Sequence, residues 1–197
     1  MKNYTDIKHI PKMLLELVKK HKPKSMLDLG CGHGYSERVL NARRLLPERT
    51  VALDMDKRYT DEIGAILPQI EVLCGYIENL GEYMGQFELI VLNQVIEHIK
   101  NESKVLDIIY DLLEPNGRLF ISSIIKRPYA LYIYKNKKGE PSICPEHERE
   151  YTSLTDFGTM VSESGFNIYN IKKRPFRTKL NIRVPGFFIA EAVCGKA

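Results

Sequence analysis

From Ile10 onward, apolar residues return at three- and four-residue steps (Met13, Leu14, Leu17, Val18) until Lys19-Lys20-His21-Lys22 and Pro23 close the run, which predicts a helix with a basic last turn. Ser25-Met26-Leu27-Asp28-Leu29 is short, mostly apolar and ends at Gly30, the pattern of a strand buried on both faces. The two periods then alternate. Tyr35 to Leu46 reads as helix, Val51 to Leu53 as strand, Asp56 to Leu67 as helix and Glu71 to Cys74 as strand. Phe87 to Leu92 is an unbroken apolar run but for Glu88 and predicts a central strand ending at Asn93. Asn101 can cap a helix whose stripe is Val105, Ile108, Ile109, Leu112 and Leu113. Pro115-Asn116-Gly117 marks its exit before a strand from Arg118 to Ser122.

Residues 126–150 lack a period and read as an insertion or lid, with five Lys or Arg between Lys126 and Lys138 and the interleaved Tyr129, Tyr132 and Tyr134. Ser153 with Asp156 resembles a capping box, followed by the stripe Leu154, Phe157, Met160 and Val161 that Gly165 terminates. Two consecutive strands come last, Phe166 to Ile171 and Phe187 to Val193, and predict a C-terminal hairpin. A basic connector holding Lys172, Lys173, Arg174, Arg177, Lys179 and Arg183 separates them. The whole is an α/β chain: a three-layer αβα, Rossmann-like fold with a seven-stranded, mostly parallel sheet.

Composition narrows the classes. The 197 residues, 44% of them hydrophobic, fit a single domain over 1–197 with one sizeable core. The longest apolar runs, Leu89 to Leu92 and Phe187 to Ala190, fall far short of the roughly 20 residues of a membrane span. The opening residues Met1 to Asp6 lack an apolar stretch and a small-residue cleavage signature, so a cytoplasmic location is expected. Cys31, Cys74, Cys144 and Cys194 form no C-x-x-C pair and read as reduced thiols rather than zinc ligands or disulfides. A net charge of +4 requires no polyanionic partner.

The chemistry concentrates at Leu27-Asp28-Leu29-Gly30-Cys31-Gly32-His33-Gly34, at the carboxyl end of the first strand and just before a helix. Glycines there let the backbone turn with positive φ and approach a ligand without a Cβ. Asp54 closes the second strand 22 residues after Gly32, where an acidic residue meets ribose hydroxyls in this architecture. The alternative for each is structural: a tight turn for the glycines, a solvated turn carboxylate for Asp54. Together they point to nucleotide-type binding.

These segments resemble the class I S-adenosylmethionine-dependent methyltransferases. Residues 27–34 look like that family's first motif and Val51-Ala52-Leu53-Asp54 its second-strand motif. Phe87 to Ile99 is similar to the fourth-strand segment, and Leu112 to Leu119 to the lead into the fifth strand. The resemblance implies S-adenosylmethionine as cofactor. Gly30, Cys31, Gly32 and Gly34 would pass by its methionine moiety, Asp54 would bind the ribose, and Met55 would pack beside the adenine. Asn93 would offer its backbone carbonyl to the ammonium, and Asp28 would orient the loop or serve as a strand-end cap. The chain departs from the family at Glu88, where Asp is usual, and at Tyr76, near which an acidic or polar residue contacts adenine; Glu78 is the substitute at hand.

Methyl transfer is an in-line displacement, so positioning the acceptor supplies about 7–11 kcal/mol of the barrier in favourable cases. A hydroxyl acceptor also needs a base, for which His is the usual choice. His98 lies just beyond the fourth strand and His147 sits in Cys144-Pro145-Glu146-His147-Glu148-Arg149-Glu150-Tyr151-Thr152 before the last helix. Both segments are similar to quinone-pathway and other small-molecule O-methyltransferases, which makes His98 and His147 the catalytic candidates; a structural role for either is the alternative. His9, His21 and His33 are weaker candidates. Some relatives hold a divalent metal with a Glu where Gln94 stands, followed by the equivalents of Glu97 and His98, so no metal is expected.

The reading is methyl transfer to a small molecule, with oxygen the first choice of atom. One alternative is an RNA methyltransferase using the basic loops 126–138 and 172–183 to hold phosphates, their aromatics stacking bases. Another is a methyltransferase-like binding module without catalysis. A dehydrogenase is disfavoured, because the loop reads G-x-G-x-G rather than G-x-G-x-x-G.

Overall fold

The computed structural model describes residues 10–81, 85–130, 134–136, 138–177 and 182–197. His9, Tyr132 and Lys179 lie outside the described residues. In chain order the elements are α1 (Lys12–His21), β1 (Ser25–Leu29), α2 (Tyr35–Ala42), β2 (Arg49–Asp54), α3 (Lys57–Ile66), β3 (Glu71–Cys74), β4 (Phe87–Asn93) and α4 (Glu102–Leu112). There follow β5 (Leu113–Lys126), the short β6 (Tyr134–Lys135) and β7 (Pro141–Ser142), α5 (Leu154–Glu163), β8 (Phe166–Arg177) and β9 (Arg183–Lys196). Seven strands form one sheet in the order β3-β2-β1-β4-β5-β9-β8. β1 runs parallel to β2 and β4, and β2 to β3, whereas β9 is antiparallel to both β5 and β8. This is the predicted Rossmann-like α/β sheet with its C-terminal hairpin.

Two compact units divide these residues, the first comprising 1–91 and 111–118 and the second 92–110 and 119–197. In the first, all five residues of β1 are buried and pair in register with β2 from Ser25↔Arg49 to Leu29↔Leu53. Each fully buried leucine there contributes about 1.5–3 kcal/mol relative to exposure. α1 turns Met13, Leu14, Leu15, Leu17 and Val18 inward and ends where Lys22, in the left-handed region at φ 46°, donates its N–H to the Val18 carbonyl at 2.8 Å. α2 is shorter than its pattern predicted. It stops at Ala42 because Arg44 turns left-handed (φ 58°) and Pro47 cannot extend a helix. Asp56 caps α3 by accepting the Arg58 N–H at 2.9 Å.

In the second unit Ser153 caps α5 as predicted, accepting the Asp156 N–H at 2.9 Å. Two departures stand out. β5 is longer than predicted; its register against β9 starts at Leu119 and runs to Lys126↔Phe187. The basic stretch 172–177 is not a connector but the second half of β8, paired with β9 from Lys172↔Glu191 to Pro175↔Phe188 and, after a register shift, at Arg177↔Arg183. Segment 126–150 carries the β6/β7 pairing and is tied to the start of β9: Arg127 donates its N–H to the Gly186 carbonyl at 2.9 Å. Ala130 packs so closely on Gly186 that a Cβ there would lie 2.5 Å from the Ala130 Cα. Ile124, Ala130, Phe187 and Ile189 form the apolar cluster beneath. All four cysteines are free thiols, and no described helix is long and apolar enough to cross a membrane.

Candidate active site

The loop after β1 is threaded against the end of β2. Gly30 and Cys31 both donate their N–H groups to the Leu53 carbonyl (2.8 and 3.0 Å), and Gly32 donates to Asp54 Oδ2 at 2.8 Å. Asp54 Oδ1 accepts the Asp56 N–H at 2.9 Å. The carboxylate is therefore turned inward, only 9% exposed, and each oxygen keeps a lone pair for a further donor. Gly34 caps α2 at φ 66°, and a Cβ there would stand 2.2 Å from Ile63 Cδ1, so any side chain at this position is strained and must displace Ile63. At Gly32 (φ 51°) nothing lies within 4 Å of where a Cβ would be, which leaves the backbone open to a ligand. An open glycine backbone beside an inward carboxylate fits an adenosyl ligand that brings a ribose diol.

The remaining predicted contacts divide. Met55 follows Asp54 and is 66% exposed, available to lie on a flat ring. Tyr76 is also exposed, and Glu78 is half-buried on the short 3₁₀ turn Ile77–Asn79. The Cys31 side chain instead packs against the cluster of Ala52, Ile63, Leu67 and Ile70, where burial drives its thiol far above the usual range. His33 is held at the surface, with Nδ1 2.8 Å from Glu62 Oε2 and its ring edge-on to Tyr59 at 4.5 Å.

Beneath the loop lie two acids. Asp28 is 3% exposed, and its carboxyl contacts both Ser36 and the Glu37 carboxyl. Burial, reinforced by the charge on Asp54, pushes Asp28 up to about 6. Glu37, on α2, is 0% exposed and is pushed well above the carboxylate range by burial and by the charge of Asp28. Apart from its own backbone N–H, no donor reaches its oxygens.

In the second unit, the end of β4 is pinned through Ser122. Ser122 Oγ donates to Asn93 Oδ1 at 2.7 Å, and Gln94, left-handed at φ 58°, donates its N–H to the Ser122 carbonyl at 3.1 Å. The Asn93 side chain is thus engaged. A 3₁₀ turn, Ile96–His98, then carries Glu97 inward and His98 outward. Glu97 is 1% exposed, accepts the Ser123 hydroxyl at 2.9 Å, and is pushed up to about 7 by burial. Its carbonyl accepts the N–H groups of Glu148 and Arg149 (2.8 and 3.2 Å), which draws the 147–149 segment alongside.

His147 is 5% exposed and its ring meets that of His98 edge-on at 4.7 Å. His147 Nδ1 lies 2.8 Å from Glu150 Oε1. That carboxylate also accepts the Ser142 hydroxyl and the Ile143 N–H, and these bonds hold it below the usual range despite its burial. The ionised partner places the imidazole proton on Nδ1 and leaves Nε2 as an acceptor. The structure thus brings His98 and His147 together. It adds Ser123, Ser142 and Glu150, to which the sequence assigned no chemical role, with the His-x-x-Glu spacing of 147 and 150 as the one available sign, and Glu97, which the sequence raised only as the equivalent of a metal-site residue in some relatives. One ligand atom each from Glu97, His98 and His147 lies within 4.8 Å of the others, so these three can hold a divalent cation.

Comparison with known proteins gives the family and the fold. Residues 4–171 match the methyltransferase domain family. The ubiquinone biosynthesis O-methyltransferase of Shewanella halifaxensis is 27% identical over 106 residues, covering 51% of this chain and 44% of that protein. The protein of the same name from Rickettsia canadensis is 25% identical over 181 residues, 84% of this chain and 75% of its own. The chain therefore spans less than half of the first relative's length. Among solved structures, the Burkholderia thailandensis 1,6-didemethyltoxoflavin-N1-methyltransferase, with bound 1,6-didemethyltoxoflavin and S-adenosylhomocysteine, superposes with a TM-score of 0.69 at 18% identity. That superposition covers 94% of this chain and 77% of that one. With the family matched over most of its length and the fold shared, the chain belongs to the class I S-adenosylmethionine-dependent methyltransferases.

Proposed function

We propose that this chain methylates an oxygen of a small-molecule acceptor. The observation that carries the proposal is the buried His147–Glu150 pair, which presents an imidazole with its Nδ1 proton fixed and its Nε2 free to take a hydroxyl proton. S-adenosylmethionine, when bound, supplies an electrophilic methyl on a positive sulfur. The chain's own residues do the rest. Gly32 gives the backbone access, Asp54 accepts the ribose hydroxyls, Met55 covers the adenine, and the Asn93 carbonyl takes the methionine ammonium. His147 accepts the acceptor's proton, and His98, against its ring, helps orient it.

Two facts support the small molecule over RNA. Curated relatives of similar sequence include proteins named as O-methyltransferases of ubiquinone biosynthesis. Of the basic residues that suggested a phosphate face, Arg174 is ion-paired with Glu191, and Lys173 and Arg183 lie over the Phe188 ring. The experiment is incubation of a cell extract with labelled cofactor followed by sorting the label among small molecules, RNA and protein. Label in RNA alone would overturn the proposal.

A second reading rests on the Glu97, His98 and His147 ligand atoms. In it these side chains hold a divalent cation that polarises the acceptor oxygen, and His147 acts as ligand rather than base. Turnover abolished by a chelator and restored by added metal supports this reading; turnover indifferent to chelation removes it.

A further inference from the structure

Glu37 has no role in the chemistry described so far, and its position is costly. A carboxyl this deep, met by no outside donor, faces a second carboxyl, Asp28, two residues before the glycine loop. Two carboxylates cannot hydrogen-bond each other, because neither offers a proton; contact between them is stable only when one is protonated. We propose that Glu37 is a positioning residue that donates its O–H to the Asp28 carboxylate, so that the pair holds one proton and one negative charge, and that this charge makes the loop prefer the sulfonium cofactor to its neutral thioether product. The inference rests on the loop being the cofactor site.

The surroundings fit a single shared charge. Around the pair stand Ser36 and Arg38 on α2, Cys31 in the loop and Asp54 on β2. Ser36 donates to Asp28, and Arg38, also bonded to Glu62, is a cation acting on Glu37. Asp54 opposes a second negative charge, and the Cys31 thiol, driven up by burial, stays neutral. Glu37 is the higher of the two acids, so it retains the proton while Asp28 ionises near 6. Cofactor binding then weakens as pH falls through that value, with a limiting slope of about tenfold per pH unit. The product, one positive charge poorer, responds less.

The test is calorimetric titration of the chain with S-adenosylmethionine and S-adenosylhomocysteine between about pH 5 and pH 8. Variants are Glu37→Leu, which removes the donor, Glu37→Gln, which keeps one, and Asp28→Asn, which removes the charge. Folding of each is checked by thermal melting without ligand. The expected result is an acid limb for the sulfonium cofactor that shifts to higher pH in E37L, returns toward the wild-type position in E37Q, and vanishes in D28N together with the preference over the thioether. Infrared spectra of the unliganded chain should show a protonated carboxyl at neutral pH that E37Q lacks. Identical acid limbs in the wild type, E37Q and E37L would overturn the proposal. Failure of the wild type to bind either compound at any pH would instead remove the cofactor site on which it rests.

Discussion

Asp54 Oδ2 accepts the Gly32 N–H at 2.8 Å, so the carboxylate that ends β2 fixes the glycine loop that follows β1. One side chain shapes the loop and, in the proposed function, takes the ribose hydroxyls. Asp54→Ala removes both functions at once. Affinity for S-adenosylmethionine should fall at least about tenfold, since one charge-assisted hydrogen bond is worth about 1.5–3 kcal/mol and about 1.4 kcal/mol is tenfold. Calorimetry checks this, and unchanged affinity would remove the ribose assignment.

Gly34 faces Ile63 with no room for a methyl group. Gly34→Ala adds a side chain at positive φ, costing about 1–2 kcal/mol, and forces Ile63 aside, costing about 1–3 kcal/mol. Denaturant melts should show a loss within that sum. Gly32→Ala meets no neighbour, so its stability loss is confined to the backbone term while cofactor affinity drops.

Glu37 makes stability depend on pH in a definite direction. Its folded-state pKa is raised above the ordinary 4.5, so above that pH the folded chain keeps a proton that the unfolded chain gives up. Stability therefore falls as pH rises from about 4.5 toward the raised folded value. Glu37→Gln abolishes this loss. The variant should match the wild type near about pH 4 and be more stable at about pH 8 by at least about 1 kcal/mol, the worth of one pKa unit. Melting curves across that range decide it; a difference independent of pH would be the contrary result.

Glu150 holds His147 through Nδ1, so its loss should act on turnover rather than on cofactor binding. Glu150→Gln should lower kcat about 10–100-fold, the usual cost of losing a histidine's orienting partner, and leave cofactor affinity unchanged. His147→Ala should be at least as severe. Full activity in both would end the case for this pair.

The alternation of periods made the parallel half of the sheet legible, and β1 and β3 begin and end where the pattern put them; β1, buried throughout, carries little but apolar residues. The glycine loop and Asp54 were legible because a tight turn beside a carboxylate restricts residue type at fixed spacing. β8 was not. It closes the sheet at one end and is largely exposed, so Lys172, Lys173, Arg174 and Arg177 stand where a buried strand would show apolar alternation. Glu37 and Glu150 were missed for the opposite reason. Each looks like an ordinary surface acid in the sequence, and only packing between elements distant in the chain buries it.

That charged margin has a consequence for how the sheet terminates. A second strand laid against β8 would have to lodge beside Lys172, Lys173 and Arg177, and another copy of β8 would bring its own cations with it. Mutual repulsion along this strand, whose outer side no other described strand pairs, guards against runaway growth into fibrils, a protection written into the same cations that hid the strand from view.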